Sequence, residues 1–230
     1  MRALLPTLLL LVAASLTGQT RSDSLRRLQF GLTGGVLLHD IEFTPDLPTQ
    51  ERLTGNFYGL ALRYFDNPLV GFQAEASYVG AGWREEVATL EERYERRADY
   101  AELLLLTQLS PGRGVVQPLL QGGPFISFPV GLEETIPEGF EPDPETTYYG
   151  RDFGFRINYG LQLGAGLNVE IGRLTLQLDG RYLLGFNDVI PTRTAGVAVS
   201  RRRALGGHAG LFLDFGSRGP AEQLPRRADL

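Results

Sequence analysis

The segment Phe153–Glu170, FGFRINYGLQLGAGLNVE, alternates strictly between apolar residues and residues that are polar or glycine. The segment Leu174–Phe186, LTLQLDGRYLLGF, repeats this alternation. Only a β-strand places successive side chains on opposite faces, so each segment is predicted to be a strand with one apolar face. Both segments exceed the roughly 5–6 residues that are typical of strands in soluble sheets. Their length suits a tilted strand that crosses a bilayer of about 30 Å.

Six further segments can be assigned as strands by the same parity. They are Leu28–Leu38, Asn56–Tyr64, Leu69–Gly80, Asp99–Leu109, Val115–Phe128 and Ala204–Phe215. A bilayer core tolerates no unpaired strand edge, so strands that span it must close into a barrel. The chain is therefore predicted to be all-β, an eight-stranded antiparallel up-and-down transmembrane β-barrel over residues 28–215.

The connections between these segments alternate in length. Tight turns are predicted at 66–68, 110–114 and 171–173, and long charged loops at 39–55, 81–98, 129–152 and 187–203. Short turns on one side and long loops on the other are typical of an outer-membrane barrel with both termini in the periplasm.

The fifth strand carries prolines, which remove hydrogen bonds from a sheet. Pro118, Pro124 and Pro129 lie within it or at its end. Such a defect is commonly absorbed by a bulge. We expect a bulge near Gly122-Gly123-Pro124.

The two ends of the chain differ from the barrel in composition. Residues 1–18 combine an early arginine, a short apolar run and small residues, which predicts a cleaved signal peptide. Residues 19–27 and 216–230 are predicted to be periplasmic, and the second of these to be disordered because it cannot bury a core. Together with the predicted barrel, these features predict a location in the outer membrane of a Gram-negative bacterium.

Aromatic residues cluster near the ends of the predicted strands, where interfacial girdles are expected. The candidates are Tyr58, Tyr64, Tyr78, Trp83, Tyr100, Tyr182, Phe186 and Phe215.

If the apolar faces meet lipid, the opposite parity points into the barrel. The predicted interior polar network consists of Arg63, Glu75, Glu102, Arg156, Asp179, Arg181 and His208, with Glu170 and Asp214 on the same face. Eight strands enclose a space that side chains just fill. Buried charges must pair, because unpaired burial costs several kcal/mol. The network is therefore expected to be a structural plug, with a narrow ion path as the alternative.

The other candidate functional residues give only weak evidence for a specific site. The pair His39-Asp40 follows the first strand and is expected to lie at the rim. The acidic loop 131–152 is expected to be solvated, and Arg201–Arg203 to meet lipid phosphates or to be an ordinary charged strand entry. The absence of cysteine excludes disulfides and thiolate metal sites, and a net charge of −5 gives no electrostatic case for nucleic-acid binding. We predict no enzyme activity and no catalytic, cofactor or metal site.

Several short segments match a known family in order and spacing. They are Gly31-Leu32-Thr33-Gly34-Gly35, Gly71-Phe72-Gln73-Ala74-Glu75, Tyr100-Ala101-Glu102-Leu103-Leu104, Pro118-Leu119-Leu120-Gln121-Gly122-Gly123-Pro124 and Leu178-Asp179-Gly180-Arg181-Tyr182. Together they resemble the PorT-type outer-membrane β-barrel family of Bacteroidota-like bacteria. The resemblance implies an eight-stranded barrel and no catalyst, and its namesake serves the type IX secretion and gliding machinery. The sequence departs from the family pattern after Phe215, because a further tail follows this aromatic residue.

These observations favour a non-enzymatic structural, anchoring or accessory component of the cell envelope, with a secretion complex as one setting. The expected partners are outer-membrane lipid and lipopolysaccharide, the barrel-assembly machinery during insertion, and envelope or secretion-complex proteins. One alternative is a small pore or transporter. The second is a soluble secreted barrel of lipocalin type, with its apolar face inside. The glycine-rich polar face with sparse mixed charge favours the membrane interpretation over the lipocalin one.

Overall fold

The fold is taken from a computed structural model that describes residues 27–44, 50–67, 69–86, 93–111, 114–139, 148–150, 156–190 and 198–215. The predicted signal peptide, nearly all of the N-terminal segment and the C-terminal tail lie outside these residues. In the described ranges, no helix has the length and apolar character needed to cross a membrane.

Eight antiparallel strands close into one barrel in chain order. Their bounds are β1 Arg27–Thr44, β2 Gln50–Phe65, β3 Val70–Glu86, β4 Arg93–Leu109, β5 Val116–Thr135, β6 Asn158–Ile171, β7 Leu174–Asp188 and β8 Val199–Asp214. Each strand pairs with the next along the chain, and β8 pairs with β1 to close the ring. The predicted eight-stranded up-and-down barrel is confirmed.

The apolar parity faces outward. In β7, Leu176 and Leu178 are exposed, whereas Gln177 and Asp179 between and beyond them are buried. The same alternation runs around the ring and leaves a continuous apolar outer surface. Such a surface is far larger than soluble monomers expose, and it matches the lipid-facing band of a membrane barrel. It is the reverse of the lipocalin arrangement.

The strands are longer than predicted on the side of the long loops. β1 continues to Thr44, β4 begins at Arg93 and β8 begins at Val199. Outward residues there are charged, so the apolar pattern stops although the strand does not. The loops expected at 39–55, 81–98, 129–152 and 187–203 are correspondingly shorter. The start expected for β6, Phe153, lies outside the described residues.

The bulge predicted at Gly122-Gly123-Pro124 is wrong. β4 and β5 keep one register across this point, with Leu104 opposite Phe125 and Thr107 opposite Gly122. A proline removes a hydrogen bond but does not require an extra residue in the strand. The irregularity lies further along β5, where Val130 falls between the partners of Asp99 and Tyr100.

The predicted aromatic girdle is correct for some members and wrong for others. Six of the eight candidates are exposed on the outer surface: Tyr58, Tyr64, Tyr78, Tyr182, Phe186 and Phe215. Trp83 and Tyr100 are only 2% and 5% exposed and point into the barrel. Both have inward parity, which their position near a strand end does not change.

Candidate functional site

The centre of the barrel holds a cluster of three charged residues and one histidine. Arg181 donates hydrogen bonds from Nη1 and Nη2 to the two oxygens of Glu75, at 2.8 and 2.7 Å. Its Nε donates to Asp179 Oδ2 at 2.9 Å, and His208 Nδ1 lies 2.7 Å from Asp179 Oδ1. All four side chains are buried. The guanidinium is thus held by two carboxylates, as buried charge requires.

A second buried arginine lies toward the short-turn end. Arg63 donates from Nε to Gln73 Oε1 at 2.8 Å and from Nη1 to Gln29 Oε1 at 3.3 Å. It also donates to Gln177, and its guanidinium carbon lies 3.7 Å from the centre of the Phe212 ring. This cation–π contact covers the face of the arginine that has no hydrogen-bond acceptor.

Glutamine side chains connect the two arginine sites. Gln121 Nε2 donates to Asp179 Oδ2 at 2.8 Å, and Gln108 Nε2 donates to Gln121 Oε1 at 2.9 Å. Gln108 also donates to Gln73, which accepts from Arg63. The Arg63 and Arg181 sites therefore belong to one connected hydrogen-bond network.

A further ion pair lies toward the long-loop end. Arg202 Nη1 donates to Glu102 Oε2 at 3.0 Å and to Ser127 Oγ at 3.1 Å. The Ser127 hydroxyl donates to the same Glu102 oxygen at 2.6 Å, and the guanidinium carbon lies 4.7 Å from the centre of the Tyr100 ring. Buried apolar side chains, among them Leu104, pack in the same part of the barrel.

Six of the seven predicted network residues lie inside the barrel: Arg63, Glu75, Glu102, Asp179, Arg181 and His208. Arg156 does not join them, because it is exposed and lies before the start of β6. Arg202 also lies inside the barrel, although Arg201–Arg203 were expected to meet lipid phosphates or to be an ordinary charged strand entry. Its inward position follows from its even spacing from His208 on β8.

The residue His39 is also placed differently from the prediction. It is completely buried on β1 and is not a rim residue. β1 extends five residues past it to Thr44, so the rim lies further along the chain.

The long-loop end of the barrel is capped by an aromatic cluster. Glu85 accepts hydrogen bonds from Trp83 Nε1 at 2.6 Å, from Tyr149 Oη at 2.6 Å and from Tyr148 Oη. The Tyr148 ring stacks on Phe43 with 5.8 Å between ring centres. Burial raises the pKa of the Tyr148 hydroxyl and the Glu85 carboxylate raises it further, so this hydroxyl is protonated and donates.

Part of the acidic loop is structured and lies on β5. Glu134 accepts hydrogen bonds from Tyr94 Oη at 2.6 Å and from the backbone nitrogen of Gly150 at 2.9 Å. Its carboxylate also lies 3.5 Å from Arg96 Nη1. The expectation of a wholly solvated loop is therefore wrong for Glu134, which fastens the segment around Gly150 to the strands.

The interior side chains bind mainly one another. No group of three or more His, Cys, Asp or Glu side chains in the described part of the chain is arranged to hold a metal ion. Chemically, the arrangement is a hydrogen-bonded filling of the barrel.

Comparison with known proteins shows what this architecture is similar to. Neisserial surface protein A is 12% identical over 81% of this chain and 97% of its own, with a TM-score of 0.45. The N-terminal β-barrel domain of OprF from Pseudomonas aeruginosa is 12% identical over 82% and 97%, with a TM-score of 0.44. Ail of Yersinia pestis is 12% identical over 80% and 98%, with a TM-score of 0.43. The comparison with curated proteins gave no match.

A family model matches most of the chain. The model, described as the outer membrane protein beta-barrel domain, matches residues 17–191. This range begins before β1 and reaches past the end of β7. The chain belongs to the outer membrane protein beta-barrel domain family.

Proposed function

We propose that this protein is a non-enzymatic structural, anchoring or accessory component of the outer membrane, and that its barrel does not conduct solutes. One observation carries the proposal: two buried ion pairs each join strands that lie opposite one another in the ring. Arg181 on β7 binds Glu75 on β3, and Arg202 on β8 binds Glu102 on β4. Pairs of this kind cross the lumen and leave it filled. A pore would need a water path past both of them.

If the lumen is closed, the protein acts through its outer surface and the two ends of its barrel. We therefore extend the proposal to a PorT-type role, in which the barrel anchors or assists an envelope complex such as a secretion machine. The ordered short segments that resemble that family support this step. Outer-membrane lipid and lipopolysaccharide are its surroundings, and the barrel-assembly machinery inserts it.

Mild crosslinking in native outer membranes tests the accessory role. An affinity tag is added within residues 216–230, and the crosslinked barrel is purified and its partners are identified. We expect one envelope protein to co-purify reproducibly in stoichiometric amount. A tagged, unrelated barrel of the same membrane at equal abundance is the control. Recovery of the barrel alone, or with the same proteins as the control, contradicts the accessory role.

A further inference from the structure

A small cavity lies inside the barrel and touches both of the ion pairs that cross the lumen. Five polar side chains on four strands line it: Glu75 and Ser77 on β3, Glu102 on β4, Gln162 on β6 and Arg181 on β7. The other lining side chains are apolar. A ligand in this cavity therefore meets members of the Arg181–Glu75 pair and of the Arg202–Glu102 pair.

The cavity has the size of a single water molecule. It offers about 10 Å³ to a water-sized sphere. One bound water needs roughly 10–15 Å³ on this measure, together with two to four polar partners. A larger solute is therefore excluded by size.

The charges around the cavity are compensated, so a neutral ligand fits it. The closest atoms of Glu75 and Arg181 are 2.7 Å apart, and those of Glu102 and Arg202 are 3.0 Å apart. A small ion would add an uncompensated charge to this buried region, which is costly.

Three of the polar lining groups keep hydrogen-bonding capacity that no described residue uses. The Ser77 hydroxyl oxygen is buried and has no partner among the described side chains. Gln162 is 4% exposed, and its side chain forms no hydrogen bond within the described part of the chain. Glu102 accepts from Ser127 and from Arg202 on Oε2, which leaves its Oε1. Buried polar groups without a protein partner are commonly satisfied by ordered water.

We propose that this cavity binds one water molecule, which joins β3, β4 and β6 across the lumen. Ser77 lies directly opposite Glu102 in the pairing of β3 with β4, so one water can reach both side chains. The water donates a hydrogen bond to Glu102 Oε1, accepts one from the Gln162 amide and shares one with the Ser77 hydroxyl. This inference rests on the closed lumen of the proposed function, since an open lumen holds many waters.

A crystal structure of the wild-type barrel, at a resolution that shows ordered water, tests the proposal. We expect one isolated density peak within hydrogen-bonding distance of Ser77 Oγ, Glu102 Oε1 and the Gln162 amide. The absence of this peak, in a map that shows other ordered waters, overturns the proposal and leaves the closed lumen standing. A continuous file of peaks from one end of the barrel to the other overturns both.

Two variants of the same shape test the site in the folded barrel. Ser77→Thr keeps the hydroxyl that binds the water, whereas Ser77→Val lacks it. Ser77→Val should lose its heat-modifiable migration at a temperature about 2–4 °C below that of Ser77→Thr, because the water loses a partner. In a dry cavity the order is reversed, since the threonine hydroxyl is then buried without a hydrogen bond. The reversed order, or equal temperatures, contradicts the proposal, and the wild-type crystal structure decides if either variant fails to fold.

Discussion

At the scale of single residues, the interior depends on compensated charge. Arg181 is bound by both Glu75 and Asp179, and all three are buried. Replacing a buried pair with apolar groups is often tolerated, but removing one partner leaves the other charge buried without compensation. Exposed pairs have no such penalty, because water solvates the charge that remains.

The substitution Arg181→Met should therefore lower the free energy of unfolding by about 3–5 kcal/mol, because Glu75 and Asp179 lose their shared cation. The matched control is Arg203→Met, which breaks an exposed pair with Glu42 whose closest atoms are 2.6 Å apart. It should cost at most about 1 kcal/mol. Equilibrium unfolding in urea after reconstitution, followed by Trp83 fluorescence, measures both. If both variants lost the same small amount of free energy of unfolding, the interior would be solvated and not packed.

The residues that sequence analysis could and could not place differ in one respect. Parity assigns Glu75, Asp179 and Arg181 to the interior because each lies in the middle of a long alternating strand. The prediction that Arg156 lies in the interior is wrong. Arg156 has the inward parity of β6, but it lies before Asn158, where this strand begins. Parity alone also does not say which carboxylate each arginine reaches, since that depends on partners across the barrel.

At the scale of strands, some glycines allow the backbones of two neighbouring strands to approach closely. A Cβ atom at Gly206 would lie 2.0 Å from the carbonyl oxygen of Val36 and 2.8 Å from Leu37 Cα on β1. At the next residue, Gly207, a Cβ atom would meet nothing within 4 Å. The two glycines lie on the same strand, but there is room for a Cβ atom only at Gly207.

We predict that Gly206→Ala destabilises the barrel by about 1–3 kcal/mol, because the backbone of β1 must move to admit the methyl group. Gly207→Ala should stay within about 0.5 kcal/mol of the wild type, since its methyl group meets open space. The temperature at which each folded barrel loses its heat-modifiable migration on a detergent gel compares them. Equal shifts for the two variants would contradict the close packing of β8 on β1.

Strand ends were the least predictable elements. The apolar alternation stops where the outward face leaves the membrane, but hydrogen bonding between β1 and β8 continues to the pair Thr44–Val199. Charged outward residues in this region resemble a loop in sequence and belong to a strand in space. The same limit applies to the prolines of β5, because composition indicates a lost hydrogen bond but not whether an extra residue enters the strand.

At the scale of the whole molecule, the proposed closure of the lumen rests on several layers of side chains together. Ion pairs between opposite strands cross the lumen, and apolar side chains such as Leu104 fill the space among them. The cluster of Tyr148 with Phe43 and Trp83 covers the long-loop end. Parity accumulated over eight segments was enough to predict the barrel. The cap was not predictable, because it brings together residues far apart in sequence with no local pattern.

Conductance of the purified barrel in planar lipid bilayers tests the central claim, that the lumen is closed. Insertion is first verified by heat-modifiable migration, and a large porin, whose barrel encloses an aqueous channel, is inserted in parallel as the control. The filled interior predicts no steady current above that of the bare bilayer, at any voltage the bilayer withstands. A steady current that rises linearly with voltage and with the number of inserted barrels would contradict it.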